Sequence, residues 1–254
     1  MTRGSLPESR ASLRHTEAMR GLLEVLALHP ADAQRAEEGG ADRVVVVGSL
    51  DDDGYAPEPA LIEKVRDATS IQLRVLLRLR AGFGTDGGEF TRLRGLAGAY
   101  LDAGADGLVL GFLNGHSEVD AEVLGALLAE GDWPWTFDRA IDRALDTDRA
   151  WRVLRGLPRL DQVLTAGSAR DLEHGLDEVI ARASADPDVA RLILAGGELQ
   201  PEHVPWLARA GVRSFHIDTA VRPQGSLKAY VDADLVHGWR SLIDSVIARQ
   251  EQHG

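Results

Sequence analysis

Short apolar runs recur along the chain, and each is followed by a segment with helical spacing. Two of them, residues 42–48 and 106–111, are introduced by Gly-Ala-Asp, show no alternation of apolar with polar positions and close with glycine. A strand with one solvent-exposed face alternates, so an unbroken run is typical of a strand buried on both faces in a parallel sheet. The pattern predicts repeated units of helix, Gly-Ala-Asp turn, buried strand and loop.

The same reading predicts eight strands, over residues 22–27, 42–47, 71–78, 106–111, 133–138, 160–165, 191–195 and 213–218. Eight helices alternate with them, over residues 30–38, 59–68, 90–103, 119–130, 147–155, 169–183, 201–210 and 232–250. This alternation in a chain of 254 residues predicts an α/β fold of the (β/α)8 TIM-barrel type. A doubly wound open sheet is the alternative, but the even spacing and the final helix favour a closed barrel.

The chain is predicted to contain one structural domain. Residues 1–20 hold scattered arginines without the apolar segment of a secretory signal, and we interpret them as a mobile N-terminal tail. Met19 is an alternative start, because the regular pattern begins directly after it. No change of composition and no linker divides residues 21–251, which we assign to the barrel and its C-terminal helix.

Composition removes several classes of function. The formal net charge of −12 argues against a nucleic-acid partner or an anionic membrane surface, since both require clustered positive charge. No apolar run reaches the length needed to span a bilayer. The absence of cysteine excludes disulfides, thiolate metal sites and a cysteine nucleophile. Lys64 and Lys228, the only lysines, fall on a helix and beyond the last strand, which disfavours a Schiff-base mechanism.

Candidate chemistry lies at the carboxyl ends of the strands, where TIM barrels place their reactive groups. Glu24 lies in the first strand among leucines, and a buried carboxylate requires a cation or a donor as its partner. The candidates for that partner are Arg78, Arg139 and His216. A catalytic carboxylate and a structural ion pair are both compatible with this pattern. The polar residues at or near the strand ends are Glu24, Arg78, Arg80, Asp138, Arg139, Asp142, Thr165, Ser168, Glu198, His216 and Asp218.

His216 and Asp218 are two positions apart on the last strand, so their side chains face the same side. They would form a general acid/base with its carboxylate, or two ligands of a metal ion, and a core histidine satisfied by an acid is the alternative. Gly196-Gly197 follows a strand and precedes a helix, so it would either bind a phosphate or form a glycine turn.

Several segments in order resemble the CutC copper-homeostasis family. They are LEVLA at Leu23, EEGGADRV at Glu37, LLRLR at Leu76, AGADGLVLG at Ala103, TFDRAID at Thr136, QVLTAGSA at Gln162, LAGGEL at Leu194 and GVRSFHI at Gly211. The resemblance implies a cytoplasmic (β/α)8 barrel that often forms a homodimer. Positions that match the family are Glu24, Arg78, Arg80, Arg139, Asp142, Thr165, Gly167, Gly196, Gly197 and His216.

The chain also departs from this family, whose members usually read LEVC, RIELC, IRPR and FHRAFD. Leu26 and Val47 stand at the cysteine positions, Val45 at that of a glutamate and Asp138 at that of a histidine. Copper is the metal that the resemblance implies, but Cu(I) prefers thiolate or thioether ligands. A cysteine-based Cu(I) site is therefore excluded, and a Cu(II) or zinc site would have to use His216, Asp218 and Asp138.

Three hypotheses follow. The first is a divergent CutC-like protein, associated with copper homeostasis by resemblance. The second is an isomerase, lyase or hydrolase that acts on a small anionic metabolite, with phosphorylated metabolites included, at the barrel mouth. The third is a barrel that binds a ligand without catalysis. The residues predicted to be catalytic are Glu24, Asp138, Arg139 and His216. The residues predicted to bind the anion are Arg78, Arg80, Thr165, Gly167, Gly196 and Gly197.

Overall fold

The chain forms a closed barrel of eight parallel strands, as described for residues 20–51 and 54–252 by a computed structural model. Each strand pairs with the next in the sequence, and the last pairs with the first. The predicted (β/α)8 barrel is confirmed and the open sheet is wrong. The strands are β1 (Leu22–Ala27), β2 (Arg43–Val46), β3 (Gln72–Leu76), β4 (Gly107–Leu110), β5 (Trp135–Phe137), β6 (Leu160–Thr165), β7 (Ile193–Ala195) and β8 (Ser214–Ile217).

Helices cover the outside of the barrel, and most begin at an aspartate whose carboxylate accepts a backbone N–H of the first turn. Asp86, Asp120, Asp146, Asp171 and Asp232 act in this way. The helices are α1 (Pro30–Glu38), α2 (Pro59–Ala68), α3 (Gly87–Asp102), α4 (Ala121–Leu128), α5 (Thr147–Arg155), α6 (Leu172–Ala185), α7 (Pro187–Leu192), α8 (Val204–Arg209) and α9 (Ala233–Glu251). Three 3₁₀ segments are Arg139–Arg143, Pro201–His203 and Pro223–Gly225.

The short helix α7 is not part of the predicted pattern, and it shortens the seventh strand. Asp186 accepts the N–H of Asp188, and Pro187 occupies the first helical position, where its missing N–H costs no hydrogen bond. The helix therefore continues to Leu192, and β7 begins at Ile193 rather than at Arg191.

The two Gly-Ala-Asp turns have the same structure. Gly40 and Gly104 have φ angles of +91° and +99°, which favour glycine, and each lets the chain turn from a helix into a strand. The aspartate that follows then accepts a backbone N–H of the preceding strand, from Leu23 to Asp42 and from Leu73 to Asp106, both at 2.8 Å. The repeated motif thus fixes the start of β2 and β4 beside the neighbouring strand.

Strand register decides which side chains meet inside the barrel. Glu24 on β1 lies opposite Arg43 on β2 and opposite His216 on β8. Because side chains alternate along a strand, these three point to the same, inner side of the sheet. The neighbouring Val25 and Val44 point to the helix layer, where they belong to the main hydrophobic core.

Residues 1–19, most of the predicted tail, lie outside the described residues. Arg20 is described, and its guanidinium lies 3.7 Å from the carboxylate of Asp42 and 3.9 Å from that of Asp244. None of the helices in residues 20–51 and 54–252 is long and apolar enough to cross a membrane.

A fully buried ion pair ties the loop after β8 to the first turn of α1. Arg222 donates to Asp32 at 3.0 Å and to the carbonyl oxygen of Leu26 at 3.1 Å, and both charged side chains have no exposed surface. Asp32 also accepts the backbone N–H groups of Leu28 and Val231, each at 2.9 Å. The pair therefore holds the end of β1 and the start of α1 against the loop after β8.

Replacing Arg222 with methionine should lower the free energy of unfolding by about 3–5 kcal/mol, because it leaves the buried Asp32 carboxylate without its cation. Urea unfolding followed by circular dichroism measures the change. Arg191→Met is the matched control, since Arg191 pairs with Asp188 on the surface and exposed pairs contribute little. Equal losses in the two variants would contradict the role given to the Asp32–Arg222 pair.

Candidate functional site

A cavity of about 270 Å³ opens at the carboxyl ends of the strands, inside the barrel mouth. A larger and more open depression of about 680 Å³ lies between the loops after β3 and β4, but none of the predicted site residues lines it. The charged or ionisable residues that line the mouth cavity are Glu24, Arg78, Asp138, Arg139, His216 and Asp218. The mouth cavity is therefore the candidate functional site.

The floor of this cavity is a chain of three buried polar side chains. The Glu24 carboxylate accepts the Nε–H of Arg43 at 2.5 Å with one oxygen, and its other oxygen lies 2.8 Å from Nδ1 of His216. Glu24 is 1% exposed and Arg43 is 1% exposed, so solvent does not compensate either charge. The two strands that flank β1 supply the compensation instead, one from each side.

Burial by itself would raise the pKa of Glu24, since it penalises the charged form. The positive charge of Arg43 and the hydrogen bond from His216 outweigh that penalty and lower the pKa from its ordinary value of 4.5 to about 2. The carboxylate is thus ionised at neutral pH and can only accept hydrogen bonds.

An ionised Glu24 determines the tautomer of His216. Nδ1 must carry the proton that Glu24 accepts, so in the neutral imidazole Nε2 holds the lone pair. Nε2 has no hydrogen-bond partner among the residues that the structure describes, and His216 lines the cavity. This arrangement matches that of a general base oriented by a carboxylate.

A second ion pair, between Arg78 and Asp138, crosses the mouth from β3 to β5. Both side chains are buried, and the Arg78 guanidinium stacks over the ring of Phe83 with 4.5 Å from its carbon to the ring centroid. The second oxygen of Asp138 accepts the N–H of Ala140 at 2.8 Å and so begins the 3₁₀ segment after β5. The pair therefore fixes two walls of the cavity as well as lining it.

Arg139 lines the cavity, and its guanidinium belongs to a polar network separate from the Glu24 chain. Its Nε donates to Asp142 at 2.9 Å and its Nη2 donates to the carbonyl oxygen of Ser168 at 2.9 Å. Its Nη1 has no hydrogen-bond partner within the described part of the chain and lies against Gly197. A Cβ at that glycine would come within 2.9 Å of Nη1. Burial raises the pKa of Asp142, which also accepts the hydroxyl of Thr165 at 2.5 Å.

The structure brings most of the predicted site residues together but not all of them. Arg80 lies outside the cavity, where it contacts Asp86 and Glu89 and is about half exposed. Thr165 accepts the N–H of Gly167 and donates to Asp142, and the N–H of Gly196 donates to the carbonyl oxygen of Thr165, so these three residues support the loops. The predicted residues that do line the cavity are Glu24, Arg78, Asp138, Arg139, Gly197, His216 and Asp218.

The cationic partner of Glu24 is one that the sequence interpretation missed. Neither Arg78 nor Arg139 pairs with Glu24, because their guanidinium groups pair with Asp138 and Asp142. The alternation of side chains along β2 could have identified this partner. Positions 43, 45 and 47 face the same side of the strand, so Arg43 faces inward with the two valines. Arg43 also lies 3.4 Å from Gln162, which donates to Ser214 at 3.1 Å, and extends the polar floor across the barrel.

One side of the cavity is apolar. Leu26, Val45, Val47, Leu76 and Val109 form a cluster separate from the main core, and each is at most 5% exposed. Three of them, Leu26, Val45 and Val47, stand where the family resemblance predicts cysteine or glutamate. The side chains present at these positions make this wall of the mouth apolar.

The donor set does not fit Cu(I). The chain has no cysteine, and its two methionines, Met1 and Met19, lie outside the described residues. No group of three histidine, aspartate or glutamate side chains capable of holding a metal ion occurs in residues 20–51 and 54–252. Asp138 is paired with Arg78, and Asp218 accepts the N–H and hydroxyl of Thr219, so the predicted His216–Asp218–Asp138 ligand set is not assembled around a common point.

Comparison with known proteins gives consistent matches over the barrel. The model of the CutC family matches residues 22–221. A family protein CutC of Xanthomonas axonopodis pv. citri (strain 306) is 37% identical over 200 residues, which cover 76% of this chain and 81% of that protein. One from Klebsiella pneumoniae (strain 342) is 30% identical over 197 residues, which cover 77% of this chain and 78% of that protein.

Two solved structures share the fold. A protein of Streptococcus agalactiae that bears the name copper homeostasis protein CutC superposes with a TM-score of 0.70 at 23% identity and covers 77% of this chain and 97% of its own. Thiamine phosphate pyrophosphorylase of Pyrococcus furiosus superposes with a TM-score of 0.55 at 14% identity and covers 91% of this chain and 98% of its own. At these identities the two superpositions support the barrel alone.

The low pKa of Glu24 predicts a pH-dependent stability. Because the folded-state pKa of about 2 lies below the ordinary value of 4.5, the stabilisation is fully present above pH 4.5 and is lost as the pH falls toward 2. Between about pH 5 and pH 3, wild type should lose about 2 kcal/mol more unfolding free energy than Glu24→Gln. Urea unfolding at each pH measures the difference.

The variant Glu24→Gln/Arg43→Met serves as a second comparison, since it removes both buried charges and leaves no unpaired cation. It should show the same flattened pH dependence as the single variant. A wild-type slope equal to that of both variants would show that Glu24 is not held ionised by its neighbours.

Proposed function

The chain belongs to the CutC family. From the cavity of its barrel we propose that it is an enzyme that removes a proton from a small substrate bearing a carboxylate and returns it or eliminates a leaving group. The observation that carries the proposal is the buried Arg43–Glu24–His216 chain, which presents the lone pair of His216 Nε2 to the cavity. The proton-transfer reactions that this arrangement supports are those of isomerases and lyases.

His216 would act as the general base. Its Nε2 takes a proton from a substrate carbon next to a carbonyl group; the electron pair of the C–H bond forms a carbon–carbon double bond, and the π pair of the carbonyl group moves onto its oxygen to give an enolate. Glu24 stabilises the imidazolium that forms, and Arg43 keeps Glu24 ionised for this purpose. Return of the proton to a different carbon completes an isomerisation, and loss of a leaving group from the adjacent carbon completes an elimination.

The two arginines at the mouth would hold the negative charges. Arg139 and Gly197 both line the cavity, and the Nη1 of Arg139, which lies beside Gly197, would bind the substrate carboxylate. Arg78, fixed by Asp138 and Phe83, stabilises the enolate oxygen. A preorganised cation stabilises developing charge without reorganising during the reaction, which is why a guanidinium held on two sides suits this role.

Proton transfer can be tested without knowing the natural substrate. Wild type in deuterium oxide should catalyse exchange at the carbon next to the carbonyl in short-chain 2-oxo acids, starting with 4-methyl-2-oxopentanoate, and NMR measures the loss of the proton signal. His216→Gln should lower the rate by about 100-fold or more, since general-base catalysis contributes about that factor.

His174→Gln provides the matched control. His174 also places Nδ1 against a carboxylate, that of Asp171 at 2.6 Å, but it lies on the surface at the start of α6. Its exchange rate should equal that of wild type. Absence of exchange by wild type, or an unchanged rate in His216→Gln, would contradict the proposal.

Copper homeostasis reaches this chain through the name of its family and of the Streptococcus agalactiae relative. The thiolate and thioether ligands that Cu(I) prefers are missing from the cavity, so we propose no Cu(I) site there. Titration of the reduced protein with Cu(I) against a chromophoric chelator should show no stoichiometric, tight binding. A one-to-one complex that His216→Gln abolishes would contradict this assignment.

The cytoplasmic location and the homodimer implied by the family resemblance stay predictions. Size-exclusion chromatography with light scattering distinguishes a dimer from the 27.4 kDa monomer. Neither prediction enters the chemistry proposed for the mouth, because every residue used in it comes from one chain.

A further inference from the structure

The mouth cavity has two unlike halves. The β1 to β4 side carries the aliphatic cluster Leu26, Val45, Val47, Leu76 and Val109, and its charged residues are Glu24 and Arg78. The five residues of the cluster are at most 5% exposed and line the cavity, so the little surface they expose faces it. Ligand binding is more favourable when an apolar group of the ligand covers an apolar wall of the pocket, because both surfaces are removed from water.

The side formed by β5 to β8 and the loop after β8 is mainly polar. It contributes Asp138, Arg139, His216, Asp218 and Thr219, and its apolar side chains are Leu164 and Leu227. Nη1 of Arg139 and Nε2 of His216 are without protein hydrogen-bond partners in the described part of the chain, so a ligand can bond to both. Polar groups that converge from one side fix the orientation of a ligand whose other side is apolar.

Charge restricts the ligand further. Among the described residues that line the cavity, two carry positive charge and three carry negative charge: Arg78 and Arg139 against Glu24, Asp138 and Asp218. Arg43 balances Glu24, and Asp138 balances Arg78. Asp142 balances the charge of Arg139, but the Nη1 of Arg139 has no protein partner within the described residues and can donate to a ligand anion, while Asp218 opposes further negative charge. A phosphate or a dicarboxylate would bring more negative charge than this cavity can compensate.

We propose that the cavity selects small amphipathic monocarboxylates with a branched aliphatic or aromatic body. The carboxylate binds Arg139 and the body covers the Leu26–Val45–Val47–Leu76–Val109 wall. The volume of about 270 Å³ lies near the lower end for ligand pockets and suits a compact molecule of this kind. This inference rests on the proposed function only in taking the mouth as the substrate site, and it concerns binding rather than proton transfer.

Two acids of matched chain length test the selection. Titration calorimetry with 4-methylpentanoate should show binding at least about tenfold tighter than with pentanedioate, since burial of the branched end is favourable and burial of a second carboxylate is not. Equal or tighter binding of pentanedioate would overturn the proposal. Failure of 4-methylpentanoate to bind at millimolar concentration would overturn it as well.

A pair of substitutions on one strand tests the wall. Val45→Thr keeps the side-chain volume but places a hydroxyl on the apolar wall, and it should weaken 4-methylpentanoate binding by about fivefold. Val44→Thr makes the same change on the face of β2 that packs against the helices, so the affinity should equal that of wild type. An unchanged affinity in Val45→Thr, or equal losses in both variants that fold, would overturn the proposal.

The results also separate this inference from the proposed function. If 4-methylpentanoate binds preferentially and His216→Gln still supports deuterium exchange, the ligand class stands and the proton transfer is wrong. If exchange requires His216 but pentanedioate binds as well as the monocarboxylate, the proton transfer stands and the ligand class is wrong.

Discussion

The carboxylate of Glu24 is the constraint on which the rest of the site depends. A charge buried to 1% exposure at the centre of the barrel would be strongly destabilising unless cations and donors met it from close range. Arg43 meets it from β2 and His216 from β8, the two neighbours of β1. The second contact exists only because the barrel closes: residues 24 and 216 are far apart in sequence, and in an open sheet β1 and β8 would not adjoin. The orientation of the candidate base, His216, thus depends directly on closure of the barrel.

The same principle is repeated toward the rim, where charges are compensated between elements rather than by solvent. Arg78 and Asp138 join the chain after β3 to the chain after β5, and Asp32 and Arg222 join the first turn of α1 to the loop after β8. Burial of each pair costs desolvation free energy, and the pair fixes the position of a loop or a side chain. Because the charges at the mouth are nearly balanced, binding there depends on a small number of groups, chiefly His216 and Arg139.

Beside this polar frame, the apolar wall occupies positions at which the family resemblance predicts other side chains. Glu24, Arg78, Arg139 and His216 agree with that resemblance, whereas Leu26, Val45 and Val47 stand where it predicts cysteine or glutamate. Because these three side chains pack together, they make one surface of the cavity apolar while the charge pairs below and opposite it stay in place. A site can change its ligand in this manner while it keeps the group that carries out the chemistry.

The sequence by itself determined a parallel α/β fold and favoured a closed barrel over an open sheet, because unbroken apolar strands, Gly-Ala-Asp turns and evenly alternating helices are local patterns. It also determined the residues near the mouth, since strand ends can be read from the same patterns, and it excluded thiolate chemistry by composition. Only the tertiary structure decided which charges pair. Arg43 rather than Arg78 or Arg139 meets Glu24, Arg80 turns away to Asp86 and Glu89, and Thr165 supports Asp142. Those choices depend on strand register and on the distance between side-chain tips, and neither is encoded in the spacing of any one segment.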